Sequence, residues 1–174
     1  MNSYSGRGTG RRRPLVEQGM NELIEEYLRS RGVRYFRGHH DDEFFYLVGV
    51  PVSAFRARRA GRLTVHLEVC GPGRDGVRVS IGPDRFYPAQ QREPLTAIAA
   101  RWNAADPCVY AVVHDSCDPA LVGVEARITR RPVDLAGLAD IVDRAVSSSV
   151  ELFGLMGDAA VPDARGTTGL RDAG

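Results

Sequence analysis

The chain contains no lysine: its 23 basic residues are all arginine, and 22 acidic residues nearly cancel them to a formal net charge of +1. A near-neutral total excludes association driven by bulk charge, and it leaves arginine forks to meet carboxylates, phosphates and aromatic faces at particular places. Together with abundant alanine and glycine, this bias suggests a high-GC bacterial coding preference, which carries no mechanism. Cysteine is scarce. Cys70, Cys108 and Cys117 form neither a disulfide framework nor a CxxC pair, so free and mostly buried thiols are expected. No apolar run approaches about 18 residues, the length a membrane helix needs. The opening "MNSYSGRGTGRRRP" is basic but lacks the apolar core of a secretory signal. A cytoplasmic protein with no membrane partner is the expectation.

The bulk of the chain reads as one folded unit. Its 174 residues are 43% hydrophobic and 26% charged, near the averages of globular domains and enough to bury a core without staples. Residues 1–14 and 157–174 are poor in apolar side chains and are expected to be flexible tails around a domain spanning 15–156. Val16, Met20, Leu23, Ile24, Tyr27 and Leu28 recur at helical spacing, with Gly32 as a left-handed stop. "VRYFRG" and "EFFYLVGV", separated by the polar "HHDDE", predict a hairpin. "RLTVHLEVC" and "VRVSIG" alternate apolar and polar residues across a "GPGRDG" turn, as two antiparallel strands with one buried face would.

Leu95, Ile98, Ala99 and Trp102, the chain's only tryptophan, share a helical face, and Pro107 forbids continuation. "CVYAVV" follows. It is apolar on both faces, which predicts a central strand covered on two sides. "VGVEARITRR" completes a second hairpin, and Asp134 caps a long helix with an apolar face from Leu135 to Phe153. The order α-β-β-β-β-α-β-β-α predicts an α+β fold, a mainly antiparallel sheet with three helices on one face.

That order, with the stretch "LTAIAARWNAADPCVYAVVHD", then "GVEARITRR" and "VDLAGLADIVDRAVSSSVELF", resembles the YbjN-like family of proposed bacterial sensory-transduction regulators. In that family a helix ends in an asparagine after an aromatic or apolar residue and a strand follows. Next come a strand of acidic-apolar alternation and a long closing helix. Asn103, Tyr110, Glu125 and Leu138 to Phe153 occupy the corresponding places. The resemblance covers roughly residues 15 to 156. It implies a type III secretion chaperone-like fold and a small protein-binding or chaperone-like module, often dimeric, with no catalytic residues to carry over. The chain departs from the pattern in "GVPVSAFRARRAGR", longer and more basic than a hairpin connection.

Candidate chemistry is thin. The side chains of "HHDDE" at His39 to Glu43 are too close together on one turn to close a coordination sphere, and a solvated turn accounts for them. Cys108 and His114 are six residues apart on a strand, about 20 Å at strand rise, too far for one ion. Cys117 is the thiol expected to be most exposed, but Asp115 and Asp118 beside it disfavour a thiolate. "GPGRDG" precedes a strand rather than a helix, so no helix N-terminus faces an anion. Ser147 to Ser149 lie within a helix, without the sharp elbow of a nucleophilic serine.

No catalytic residue, metal site or cofactor is therefore assigned, and the expectation is a non-enzymatic adaptor that holds a partner polypeptide through exposed sheet or helix surface, with possible strand addition and homodimer formation. Phe55, Phe86 and Tyr87, read as loop residues least needed by a core, are the candidate contact set. The alternative is a nucleic-acid-associated regulator. It would use Arg11, Arg12 and Arg13 in the N-terminal tail and Arg56, Arg58, Arg59 and Arg62 in one short loop, binding phosphates with counterion release.

Overall fold

A computed structural model describes residues 19–50, 61–105 and 108–159. The first helix, α1 (Met20–Ser30), buries Leu23, Ile24, Tyr27 and Leu28, the positions its 3.6-residue period places on one face. Gly32, at φ +62°, closes it. Its N–H donates to Arg29 O, and the N–H of Val33 reaches back to Leu28 O at 3.3 Å, a left-handed stop that glycine adopts without strain. Strands β1 (Tyr35–Arg37), β2 (Glu43–Val50), β3 (Gly61–Cys70) and β4 (Gly76–Pro83) follow. A two-residue strand, β5 (Tyr87–Pro88), and a short 3-10 turn lead into α2 (Arg92–Ala105). The chain then forms β6 (Tyr110–Asp115), β7 (Leu121–Arg130) and α3 (Leu135–Ala159).

The α+β order is as expected, with β5 added. All pairings are antiparallel, in the order β1-β2-β3-β4-β7. Strands β4 and β5 share one edge of β7, and β6 takes the other. The expectation that β6 is central is thus wrong: it ends the sheet. Its apolar residues on both faces misled, because one face is buried while Tyr110 on the other stands in solvent.

The core lies between the sheet and the helices. Register places Tyr46, Val65, Ile81, Ala126 and Ala111 in one row across five strands, with Phe44, Leu67, Val79 and Ile128 in the next, and all are buried. Helix α3 lies across β4 and β7 and touches both other helices, burying Leu138, Val142, Leu152, Phe153 and Met156. Asp134 caps it by accepting from Gly137 N at 2.7 Å. The helix passes through Gly157 to Ala159, so the folded segment extends past 156. Ser149 within it is buried and donates to Ala145 O at 2.6 Å, which satisfies its hydroxyl inside the packed helix.

Candidate functional site

Several of the candidate residues, Arg11, Arg12, Arg13, Phe55, Arg56, Arg58 and Arg59, lie outside the described residues. Arg62 is not in a loop: it is exposed in β3 opposite Gly49. Tyr87 is also misplaced by the sequence. It forms β5, pairs with Val122 and is 2% exposed, so its ring belongs to the core and is not available to a partner. The pull of β7 outweighs the local turn signals around it. Phe86 beside it points the other way and is 55% exposed.

The "HHDDE" turn is structural. The Asp42 carboxylate accepts from Asn21 Nδ2 of α1 at 3.0 Å and from Arg74 in the β3–β4 turn, and these bonds hold its carboxyl below the usual carboxylate range. Among the described residues no three His, Cys, Asp or Glu side chains are grouped to hold a metal. The three cysteines form no disulfide. Cys117 is exposed, whereas Cys70 and Cys108 are half-buried rather than buried, and burial pushes the Cys70 thiol up.

The informative surface is the sheet face opposite the helices. Alternation puts Phe36, Phe45, His66, Ser80, Arg127 and Tyr110 in one row across it, with Leu47, Thr64 and Gly82 in the row beside. No helix covers this face among the described residues. Of the six large apolar side chains exposed there and elsewhere in the described chain, four stand on or over it: Phe36 (71%), Leu47 (52%), Tyr110 (60%) and Phe86. Two of its arginines are held by acids on the same face, while Arg62 is exposed on it. Arg78 donates to Glu68 at 2.8 Å and Arg127 Nε to Glu125 at 2.7 Å.

Between the apolar groups lies a depression of about 310 Å³, walled by Phe45, Phe86 and His114 and floored by Thr64, Ser80 and Gly123. A Cβ at Gly123 would run into the His114 ring, which would have to turn aside. His66 stacks flat on Phe45, with ring centroids 4.2 Å apart and planes 6° from parallel. Its Nε2 is buried without a hydrogen-bond partner. Burial holds its pKa below the usual value against the opposing pull of Glu43, Glu68 and Glu125. Sequence reasoning missed His66 because it occupies a polar position in a clean alternation; only the cross-strand register brings Phe45 against it.

Strand addition at β6 is obstructed. Asn103 of α2 donates Nδ2 to Ala111 O at 2.9 Å and accepts from Ala111 N at 2.7 Å, acting as a neighbouring strand would at that edge. Trp102 Nε1 donates to Val109 O at 3.0 Å, and Arg92 at the other end of α2 pairs with Asp115. A helix lying along an edge with its backbone groups bonded is a recognised barrier to further pairing. Trp102 and Asn103, in the last turn of the helix, thus bind β6 and the residue just before it.

No protein-family model and no curated protein matches the chain. Among solved structures it is similar to the crystal structure of YbjN from E. coli, described there as a candidate transcription regulator. The TM-score is 0.57 at 16% identity, over 81% of this chain and 95% of that one. The comparison concerns shape, and it agrees with the three helices on one antiparallel sheet: the chain has a YbjN-like fold.

Proposed function

We propose that this chain is a non-enzymatic regulatory adaptor that docks a polypeptide on the open face of its sheet. The observation that carries the proposal is that four of the six large apolar side chains exposed among the described residues, Phe36, Leu47, Phe86 and Tyr110, stand on or over that one face. Phe36, Phe45 and Leu47 stand together at the β1–β2 end of the face, with Phe86 over the depression beside them, and Tyr110 stands at the far end of the same row; exposed apolar groups of this kind mark association sites, and aromatic residues dominate binding energy where they occur. The similarity to a candidate regulator supports the regulatory part. At the β6 end docking is face-on, since α2 blocks that edge. Nucleic acid fits this face less well: of its arginines, Arg78 and Arg127 are already held by Glu68 and Glu125, so a phosphate would have to compete for them and would find only Arg62 exposed beside them.

Photo-crosslinking from position 36 or 86 in the native cell tests this. The expected result is a polypeptide adduct, either a second copy in a homodimer or another protein, lost when Leu47 and Tyr110 are replaced by serine. Adducts only to nucleic acid, or polypeptide adducts indifferent to Leu47→Ser and Tyr110→Ser, would overturn it.

A further inference from the structure

A second cavity, of about 250 Å³, lies on the helix side of the sheet where the end of β7 meets the first turns of α3. Two periodicities build it. Arg130 follows Ile128 by two residues and shares its face of β7, while Asp140, Ile141 and Arg144 share one face of α3 at helical spacing. Ile128, Ile141, Arg130, Arg131, Asp140 and Arg144 line the space, with Cys108 at its margin. The lining therefore joins an apolar wall to three guanidiniums and one carboxylate, an excess of two positive charges.

The three arginines differ in what holds them. Arg131 is paired with Asp75 at 3.2 Å. Arg130 donates to the neighbouring carbonyl of Thr129 at 3.0 Å, and neither it nor Arg144 has a carboxylate partner among the described residues. Most other arginines in the described chain meet an acid, including Arg31, Arg37, Arg74, Arg78, Arg92 and Arg127. Like charges gathered at one concavity repel, and an anion there removes the repulsion while gaining charge-assisted hydrogen bonds from planar forks.

We infer that this cavity binds a small phosphate monoester with an apolar body, the phosphoryl group held between Arg130 and Arg144 and the body against Ile128 and Ile141. A monoester near neutral pH carries roughly two negative charges, which the two guanidiniums without a carboxylate partner among the described residues, Arg130 and Arg144, can meet. The two isoleucines distinguish such a ligand from inorganic phosphate, which has nothing to bury against them. The inference is independent of the adaptor role of the opposite face.

Calorimetric titration of the full chain with phenyl phosphate, and separately with inorganic phosphate, tests it. Phenyl phosphate should bind saturably and at least several-fold more tightly than inorganic phosphate. Arg144→Ala and Arg130→Ala should each weaken it on the order of tenfold or more, and Arg144→Lys by less. Bound phenyl phosphate should also slow alkylation of Cys108, leaving exposed Cys117 as the internal control. No saturable binding at low millimolar concentration, equal affinity for the two ligands, or affinity unchanged in both alanine variants would overturn the proposal. So would binding confined to oligonucleotides.

Discussion

The two faces of the sheet come from the same strands and the same alternation, yet they differ in what their exceptions mean. On the helix side β3 contributes Leu63, Val65, Leu67 and Val69, all buried, and there is no exception to explain. On the other side β3 contributes Arg62, Thr64, His66 and Glu68, as a solvated face should, but β1, β2 and β6 add Phe36, Leu47 and Tyr110. Apolar side chains on the first face are accounted for by folding. Those on the second gain nothing from it, and association is where their burial would be recovered.

The largest test of this contrast compares one aromatic from each side. Phe153→Ala, at a fully buried position under the sheet, should cost about 3–5 kcal/mol of unfolding free energy. Phe36→Ala should stay within about 0.5 kcal/mol in the same chemical denaturation. A comparable loss at Phe36 would mean that the open face is part of the fold and not a free surface.

Next in size is the edge. Asn103→Ala leaves the N–H and C=O of Ala111 without their partner and should cost about 1–3 kcal/mol. Trp102, bonded to Val109 just before β6, reports the change through its own fluorescence, which should shift toward solvent-like emission. Asn103→Asp keeps the acceptor but sets a carboxylate against the Ala111 carbonyl, so it should not rescue. An unchanged spectrum and full stability in Asn103→Ala would show that the edge needs no seal.

The smallest effect concerns pH. Burial lowers the pKa of His66 in the folded chain from its usual 6.5, so between the folded value and about 6.5 the unfolded chain binds more protons than the native one. Stability therefore rises with pH across that window and is lost as pH falls through it. His66→Gln should flatten this segment of the stability profile. A profile of the same slope in the variant would assign the dependence to other groups.

Much of the architecture was legible because local periodicity reports it. The alternation in β3 and β4 and the helical spacing in α1 and α3 each have one burial solution, and the Asp134 cap and the Gly32 stop mark their ends. The candidate site was less legible. Phe86 and Tyr87 are neighbours with one composition signal, yet one is exposed and the other sits in the core, because a two-residue pairing with β7 turns them apart. The position of β6 was misjudged for a related reason: hydrophobicity on two faces states that both are apolar, not that both are covered.

Chain pattern by itself determined, β5 excepted, which segments are helix or strand and which side of most turns inward, since burying one stripe of a short element is a nearest-neighbour matter of period 3.6 or 2. Tertiary structure alone decided where strands stand in the sheet, that Phe45 stacks on His66, that Asn103 replaces a missing strand, and that Arg130 and Arg144 share a cavity. These depend on register and crossing between residues far apart in the chain, and no local spacing encodes a distance across folded layers.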